Sequence, residues 1–144
     1  MSTILNNWTN FSIFKETNRI RGNMSTLRER QAVFAEMIAK LIIRANLIEK
    51  PVAVLEWYRT EERQRYLVEI GRSKTMQSKH LIGLAVDLVA IEDLKDGVVN
   101  WNGENWKPLG LYWEMLGGKW GGRFGDNIAT EKIEGWDSGH FEMG

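Results

Sequence analysis

The sequence predicts an α+β fold, a small and mainly antiparallel sheet with flanking helices. Three observations lead there. A long run of helical periodicity occupies the first third of the chain. Short apolar, β-branched runs dominate the rest, and turn signals separate them. The 144 residues fit one domain, expected over 1–144, with an N-terminal helical part over 1–48 and a core over 50–144.

The elements follow in order. Residues 1–23 are polar and irregular, with a short helical piece near Phe11–Phe14. Residues 26–46 read as one amphipathic helix. Thr26 and Glu29 form a capping-box pair, in which each side chain satisfies a free backbone N–H at the helix start. Leu27, Phe34, Met37, Ile38, Leu41, Ile42 and Ala45 recur at helical spacing, and Asn46 and Pro51 bracket the exit. Residues 52–58 (VAVLEWY) read as a strand. Thr60 caps a second helix whose first turn carries Glu61 and Glu62 and which ends at Gly71. Residues 72–79 are a polar loop, 84–91 (LAVDLVAI) a strand, and 97–101 a third strand after the turn signal Asp96-Gly97. A helix over 105–116 tolerates Pro108 in its first turn and buries Leu109, Tyr112, Trp113 and Leu116. A glycine-rich stretch, 117–122, precedes a last strand from Trp136 to Met143.

Composition removes several function classes. Nineteen basic residues balance nineteen acidic ones, so there is no basic surplus of the kind nucleic-acid binding requires. Without cysteine there is no disulfide, no thiolate metal site and no cysteine nucleophile. No apolar run approaches the roughly 20 residues that span a bilayer, so membrane insertion is not expected. The start, MSTILNNWTN, has neither a basic n-region nor an apolar h-region and does not read as a secretory signal. Gly117–Gly122 lacks the phosphate-loop pattern, and Asp126-Asn127 alone does not make a calcium loop. The seven tryptophans are read mainly as core, Trp57 and Trp113 among them, whereas Trp136 is placed to line a cleft.

The chemistry concentrates on the two histidines, His80 and His140. Asp87 lies seven residues after His80, in the middle of an apolar strand whose two faces, Ala85/Val89 and Leu84/Val86/Leu88, both look buried. A carboxylate there is costly unless it is paired or bound to a metal, and His80 at the strand's entrance is within reach. Asp137 precedes His140 by three residues. In a regular strand the two would point to opposite faces, so convergence requires irregular backbone, which Gly135 and Gly139 permit. Two imidazoles plus one carboxylate form a hydrolytic zinc set with a fourth position open, and a free carboxylate nearby serves as general base and acid.

Ser78-x-His80-x-x-Gly83-x-Ala85-x-Asp87 is similar to the S-x-H-x-x-G-x-A-x-D signature of the LAS-type zinc peptidases. These include D-alanyl-D-alanine carboxypeptidases and phage endolysins that are L-alanyl-D-glutamate peptidases. The second family element, an acidic residue, two spacers and His, resembles Asp137-Ser138-Gly139-His140. Upstream, Tyr58-Arg59-Thr60-x-x-x-Gln64 resembles the family's G-[YF]-R-[ST]…Q segment. Between the two, Trp106-x-x-Leu109-Gly110 and Trp120-Gly121-Gly122 resemble its helix and W-G-G turn. The likeness covers about residues 50–144.

The resemblance implies a hedgehog/D-Ala-D-Ala-peptidase-like fold and a Zn2+ ion held by His80, Asp87 and His140. It further implies Asp137 as catalytic acid/base and Arg59 as the group that binds a substrate carboxylate or stabilises the oxyanion. Ser78 and Gln64 then fall at positions that either line the substrate pocket or support the residues that do, and Trp136, beside the site, is read separately as lining the substrate cleft. Glu56-Trp57 depart from the Ser-Gly common in the family ahead of Tyr-Arg. Asp rather than Glu at 137 leans toward the endolysin branch. The implied activity is cleavage of the L-alanyl-D-glutamate bond in bacterial peptidoglycan stem peptides. A monomer made in the host cytoplasm would act on the wall after release, with a holin-type pore as functional partner. The alternatives are a D-alanyl-D-alanine carboxypeptidase and a non-catalytic, zinc-stabilised wall-binding module.

Overall fold

Helix α1 (Leu27–Leu47) begins where the sequence places it, because Thr26 and Glu29 cap each other reciprocally. The Thr26 hydroxyl accepts from the Glu29 N–H, and the Glu29 carboxylate accepts from the Thr26 N–H at 2.9 Å. The computed structural model describes residues 26–92, 97, 101–124 and 137–144. After α1 come β1 (Val52–Glu56), α2 (Glu61–Glu69), a 3-10 turn (Lys79–Ile82), β2 (Ala85–Ala90), α3 (Gly103–Met115), β3 (Gly118–Trp120), a second 3-10 turn (Gly121–Arg123) and β4 (His140–Met143). The four strands form one sheet in the order β1-β2-β4-β3, and every adjacent pair is antiparallel. This is the α+β architecture the sequence predicts.

The sheet has two faces with different work. Leu84 leads into β2, and it joins Val86, Leu88, Trp120, Phe141 and Met143 in one hydrophobic cluster with α1 and α3. Phe34 of α1 sits at its centre, edge-on to Trp57 at 5.6 Å and to Trp113 at 5.7 Å. The period of two along each strand turns the alternate residues, Asp87 on β2 and His140 and Glu142 on β4, to the opposite face. Register brings them side by side, since Asp87 is paired with Glu56 on one flank and with His140 on the other. The β1 register shifts between Val54 and Glu56, an irregularity that ends the strand there.

Several expectations are corrected. Leu27, counted in the apolar stripe of α1, is exposed, and Val33 is buried instead, because the stripe begins one turn further in. Strand β1 stops at Glu56, so Trp57 and Tyr58 lie outside it and Tyr58 is exposed. Helix α3 starts at Gly103, two residues early, because Asn102 caps it by accepting from the Glu104 N–H; Pro108 therefore lies past the first turn. Tyr112 and Leu116 pack only at the margin of the core. Within the glycine-rich stretch, Gly118–Trp120 is a strand the sequence reading left out. The last strand is shorter than expected: His140–Met143 pairs, while Ser138 and Gly139 form a turn. The helical piece near Phe11–Phe14 lies outside the described residues, as does most of the strand expected over 97–101; Trp101, at its end, is in no strand.

Candidate metal centre

Each of the three residues at the centre is delivered by a different local device. His80 sits on the 3-10 turn between the expected loop and β2. Ser78 caps that turn by accepting from the His80 N–H, and Gly83 closes it in the left-handed region at φ 66°. Asp87 is the mid-strand carboxylate of β2. His140 opens β4 directly after a tight turn in which its N–H donates to the Asp137 carbonyl at 3.0 Å. The turn brings Asp137 and His140 to the same side, which a regular strand would forbid. Gly121 makes room for it: a side-chain carbon at 121 would fall on the Asp137 carbonyl oxygen and within 2.9 Å of His140 Cβ.

One donor atom from each of His80, Asp87 and His140 lies within 4.8 Å of the others, a group able to hold a metal ion. His140 Nδ1 is 3.0 Å from Asp87 Oδ1. His80 Nε2 is 3.2 Å from Asp87 Oδ2 but off the hydrogen-bonding direction. This buried nitrogen has no hydrogen-bond partner among the described residues. A buried, unpaired imidazole nitrogen is costly in a finished fold. A cation accepting its lone pair removes that cost, and two imidazoles with a carboxylate suit zinc. The residues present therefore fit the implied metal.

The far nitrogens of both rings are also engaged. His80 Nδ1 lies 2.8 Å from the Trp57 carbonyl, and His140 Nε2 lies 3.0 Å from Glu142 Oε2. Burial pushes the Asp87 carboxyl up, yet hydrogen bonding to His140 and the nearness of His80 outweigh it and hold the group well below the usual carboxylate range. Burial likewise pushes His140 down, but its bonds to Asp87 and then Glu142 prevail and raise it to about 9. Asp137 moves the other way from Asp87. Burial raises it, His140 only partly offsets this, and the charge of Asp87 adds to the rise. Its Oδ2 stands 3.8 Å from His140 Nδ1, at the rim of the metal group.

Arg59 completes the inner wall. Its Nη2 is 3.4 Å from Asp87 Oδ2, its Nη1 donates to Gln64 Oε1 at 2.8 Å, and its Nε pairs with Glu56. Gln64 is fully buried, bridging Arg59 to the 73–75 loop through Ser73 Oγ and the Thr75 carbonyl, and it does not line the cleft. Ser78 does line it. Trp136 lies outside the described residues. The cleft over the centre has a volume of about 1010 Å³, and Arg63, Arg72, Lys74 and Lys79 line its walls together with the carboxylates of Glu56, Asp137 and Glu142. Sequence reasoning missed Glu56, Trp101, Phe124 and Glu142, all of which line this cleft. Glu142 was discoverable, because two residues beyond His140 on one strand means the same face.

The model of the family described as D-alanyl-D-alanine carboxypeptidase matches residues 71–143, about half of the chain. The crystal structure of the Serratia marcescens L-Ala D-Glu endopeptidase ChiX is similar at 30% identity and a TM-score of 0.50, over 74% of this chain and 79% of that one. The vancomycin-resistance D,D-pentapeptidase VanY of a VanB-type cassette, solved in complex with Zn(II), shares the fold at 18% identity and a TM-score of 0.50, over 76% of this chain and 70% of its own. No curated protein matches the chain.

Proposed function

This chain belongs to the D-alanyl-D-alanine carboxypeptidase family, within the LAS-type zinc peptidases, and from that membership we propose that it cleaves the L-alanyl-D-glutamate bond of peptidoglycan stem peptides as a phage or prophage endolysin. The observation that carries the peptidase reading is the convergence of His80, Asp87 and His140 beside the raised carboxyl of Asp137 in an open cleft. The choice of bond is supported by the 30% identity to an L-Ala D-Glu endopeptidase. In this reading one zinc peptidase domain contains α1 as well as the sheet, since α1 supplies much of the shared core.

His80, Asp87 and His140 hold the metal. Zinc bound there supplies a Lewis acid and brings the pKa of a water to about 7. Asp137 accepts the proton of the attacking water and returns it to the leaving amine. Burial raises its carboxyl toward the range in which both transfers are feasible. Arg59 donates to the developing oxyanion or to a substrate carboxylate, and Glu56 and Gln64 fix the guanidinium for that task. Ser78 lies along the substrate path. The cleft's arginines and lysines suit a stem peptide rich in free carboxylates.

Digestion of purified peptidoglycan by the zinc-loaded protein, followed by mass spectrometry, tests the reading, with chelator and Asp137→Ala as controls. Glycan strands ending in lactyl-L-alanine, together with peptides that begin with D-glutamate, are expected. Release of D-alanine alone would assign the carboxypeptidase activity instead. Intact wall with zinc firmly bound would leave a non-catalytic wall-binding module.

A further inference from the structure

We propose that Glu142 is a positioning residue that fixes the ring and tautomer of His140, so that Nδ1 rather than Nε2 is presented to the metal. The inference rests on the reading of His80, Asp87 and His140 as metal ligands. Both imidazoles have one nitrogen turned to Asp87 and the other turned away from it. For His80 the inward atom is Nε2 and the outward atom, Nδ1, faces the Trp57 carbonyl. For His140 the assignment is reversed, with Nδ1 inward at 3.0 Å from Asp87 Oδ1 and Nε2 outward at 3.0 Å from Glu142 Oε2. A carbonyl oxygen can only accept, so it holds a proton on His80 Nδ1 and leaves Nε2 bare. A carboxylate at the outward nitrogen of His140 likewise holds the Nε2–H, so the nitrogen that releases its proton to make way for a metal is Nδ1, which faces Asp87.

The fold makes this arrangement inexpensive. Glu142 lies on β4 two residues from His140, so the pleat turns both side chains to one face. Its strand partners are Ala85 on β2 and Lys119 on β3, which fixes the backbone on both flanks. Lys79, next to His80, donates to the carbonyl of Met143 at 2.5 Å and ties the end of β4 to the turn that carries the first ligand. The two outward acceptors differ in one respect, because Glu142 carries charge and the Trp57 carbonyl does not. Glu142 therefore also strengthens His140 as a donor, a role outer carboxylates play in histidine metal sites.

The test compares the full-length protein with Glu142→Ala, Glu142→Gln and His140→Ala. Zinc affinity is measured by chelator competition, and the His140 nitrogen that carries the proton is read from ¹⁵N NMR of the zinc-loaded forms. Glu142→Ala is expected to weaken zinc roughly 10–100-fold and to let part of the zinc-loaded population carry the His140 proton on Nδ1. Glu142→Gln keeps an acceptor, so it should preserve the Nε2–H tautomer and bind zinc between wild type and Glu142→Ala. In the zinc-loaded wild type, a His140 proton on Nδ1 would overturn the proposal without any variant having to fold. Wild-type affinity in both Glu142 variants, with zinc lost in His140→Ala, would overturn it while leaving the ligand set standing. Undiminished zinc binding by His140→Ala would instead remove the ligand reading beneath it.

Discussion

Zinc binding and protein stability should respond to pH in opposite directions, and the size of both effects follows from His140. In the metal-free protein this imidazole is raised from 6.5 to about 9 by Asp87 and Glu142, so at neutral pH it holds a proton on each nitrogen. A metal can reach Nδ1 only after that proton leaves. Apparent zinc affinity should therefore rise about tenfold per pH unit below 9, or about a hundredfold between pH 6 and pH 8.

The stability of the metal-free protein runs the other way. A folded pKa above the unfolded one contributes stability that is complete below about 6.5 and is lost as pH rises through about 9. A shift from 6.5 to about 9 corresponds to about 3 kcal/mol, shared between His140 and its two carboxylate partners. Asp87, held low, contributes with the opposite sign, and its share is lost only on acidification below the ordinary carboxylate range. Metal-free protein should thus lose several degrees of Tm between pH 6.5 and pH 9, whereas at fixed free zinc the decline should shrink or reverse. Calorimetry of both forms across this range is the assay, with chelator competition for affinity and calorimetric titration in buffers of different ionisation heat to count the released proton. A metal-free Tm that is flat from pH 6.5 to 9, with affinity constant from pH 6 to 8, would refute the argument, because His140 would then already be neutral.

Three further outcomes are expected. Asp137→Asn should lower kcat by about 10²–10⁴ with zinc affinity nearly unchanged, as judged by turnover and chelator competition on one preparation; loss of zinc in step with activity would make Asp137 a ligand instead. Gly121→Ala forces the Asp137–His140 turn to move, because the added carbon meets the Asp137 carbonyl. A loss of about 1–3 kcal/mol in denaturant titrations, with weakened zinc binding, is expected, and a neutral result would mean the turn can shift freely. Phe34→Ala empties the centre of the core between Trp57 and Trp113 and should cost about 3–5 kcal/mol, visible as a lower urea midpoint at constant m-value.

Much of the site was legible because its signals are local or chemically expensive. The capping box of Thr26 and Glu29 needs only four residues, and it is formed. A carboxylate amid LAVDLVAI announces a partner, and Asp87 has His80, His140 and Arg59 around it. Part of what escaped depends on contacts distant in sequence. Gly118–Trp120 has no alternating pattern; it is a strand only because β4 pairs with it. Glu56 and Glu142 are different, since their partners are close in sequence: the period of two would have placed Glu142 beside His140, whereas Glu56 meets Arg59 only because β1 ends between them. The start of α3 was misplaced because Asn102, a cap, competed with Pro108 as the start signal, and the side-chain cap prevailed.

The positions of the converging donors carry a mechanical consequence. Residue 80 precedes β2 and residue 87 lies within it, while residue 140 begins β4, and the chain has no cysteine with which to tie them. An ion shared by the three acts as a cross-link that closes a long loop, and the entropy removed from the unfolded chain grows with loop length. Loaded protein should therefore open less often than metal-free protein, since the turn before β2, β2 itself and the interior strand β4 can separate only when the ion is released.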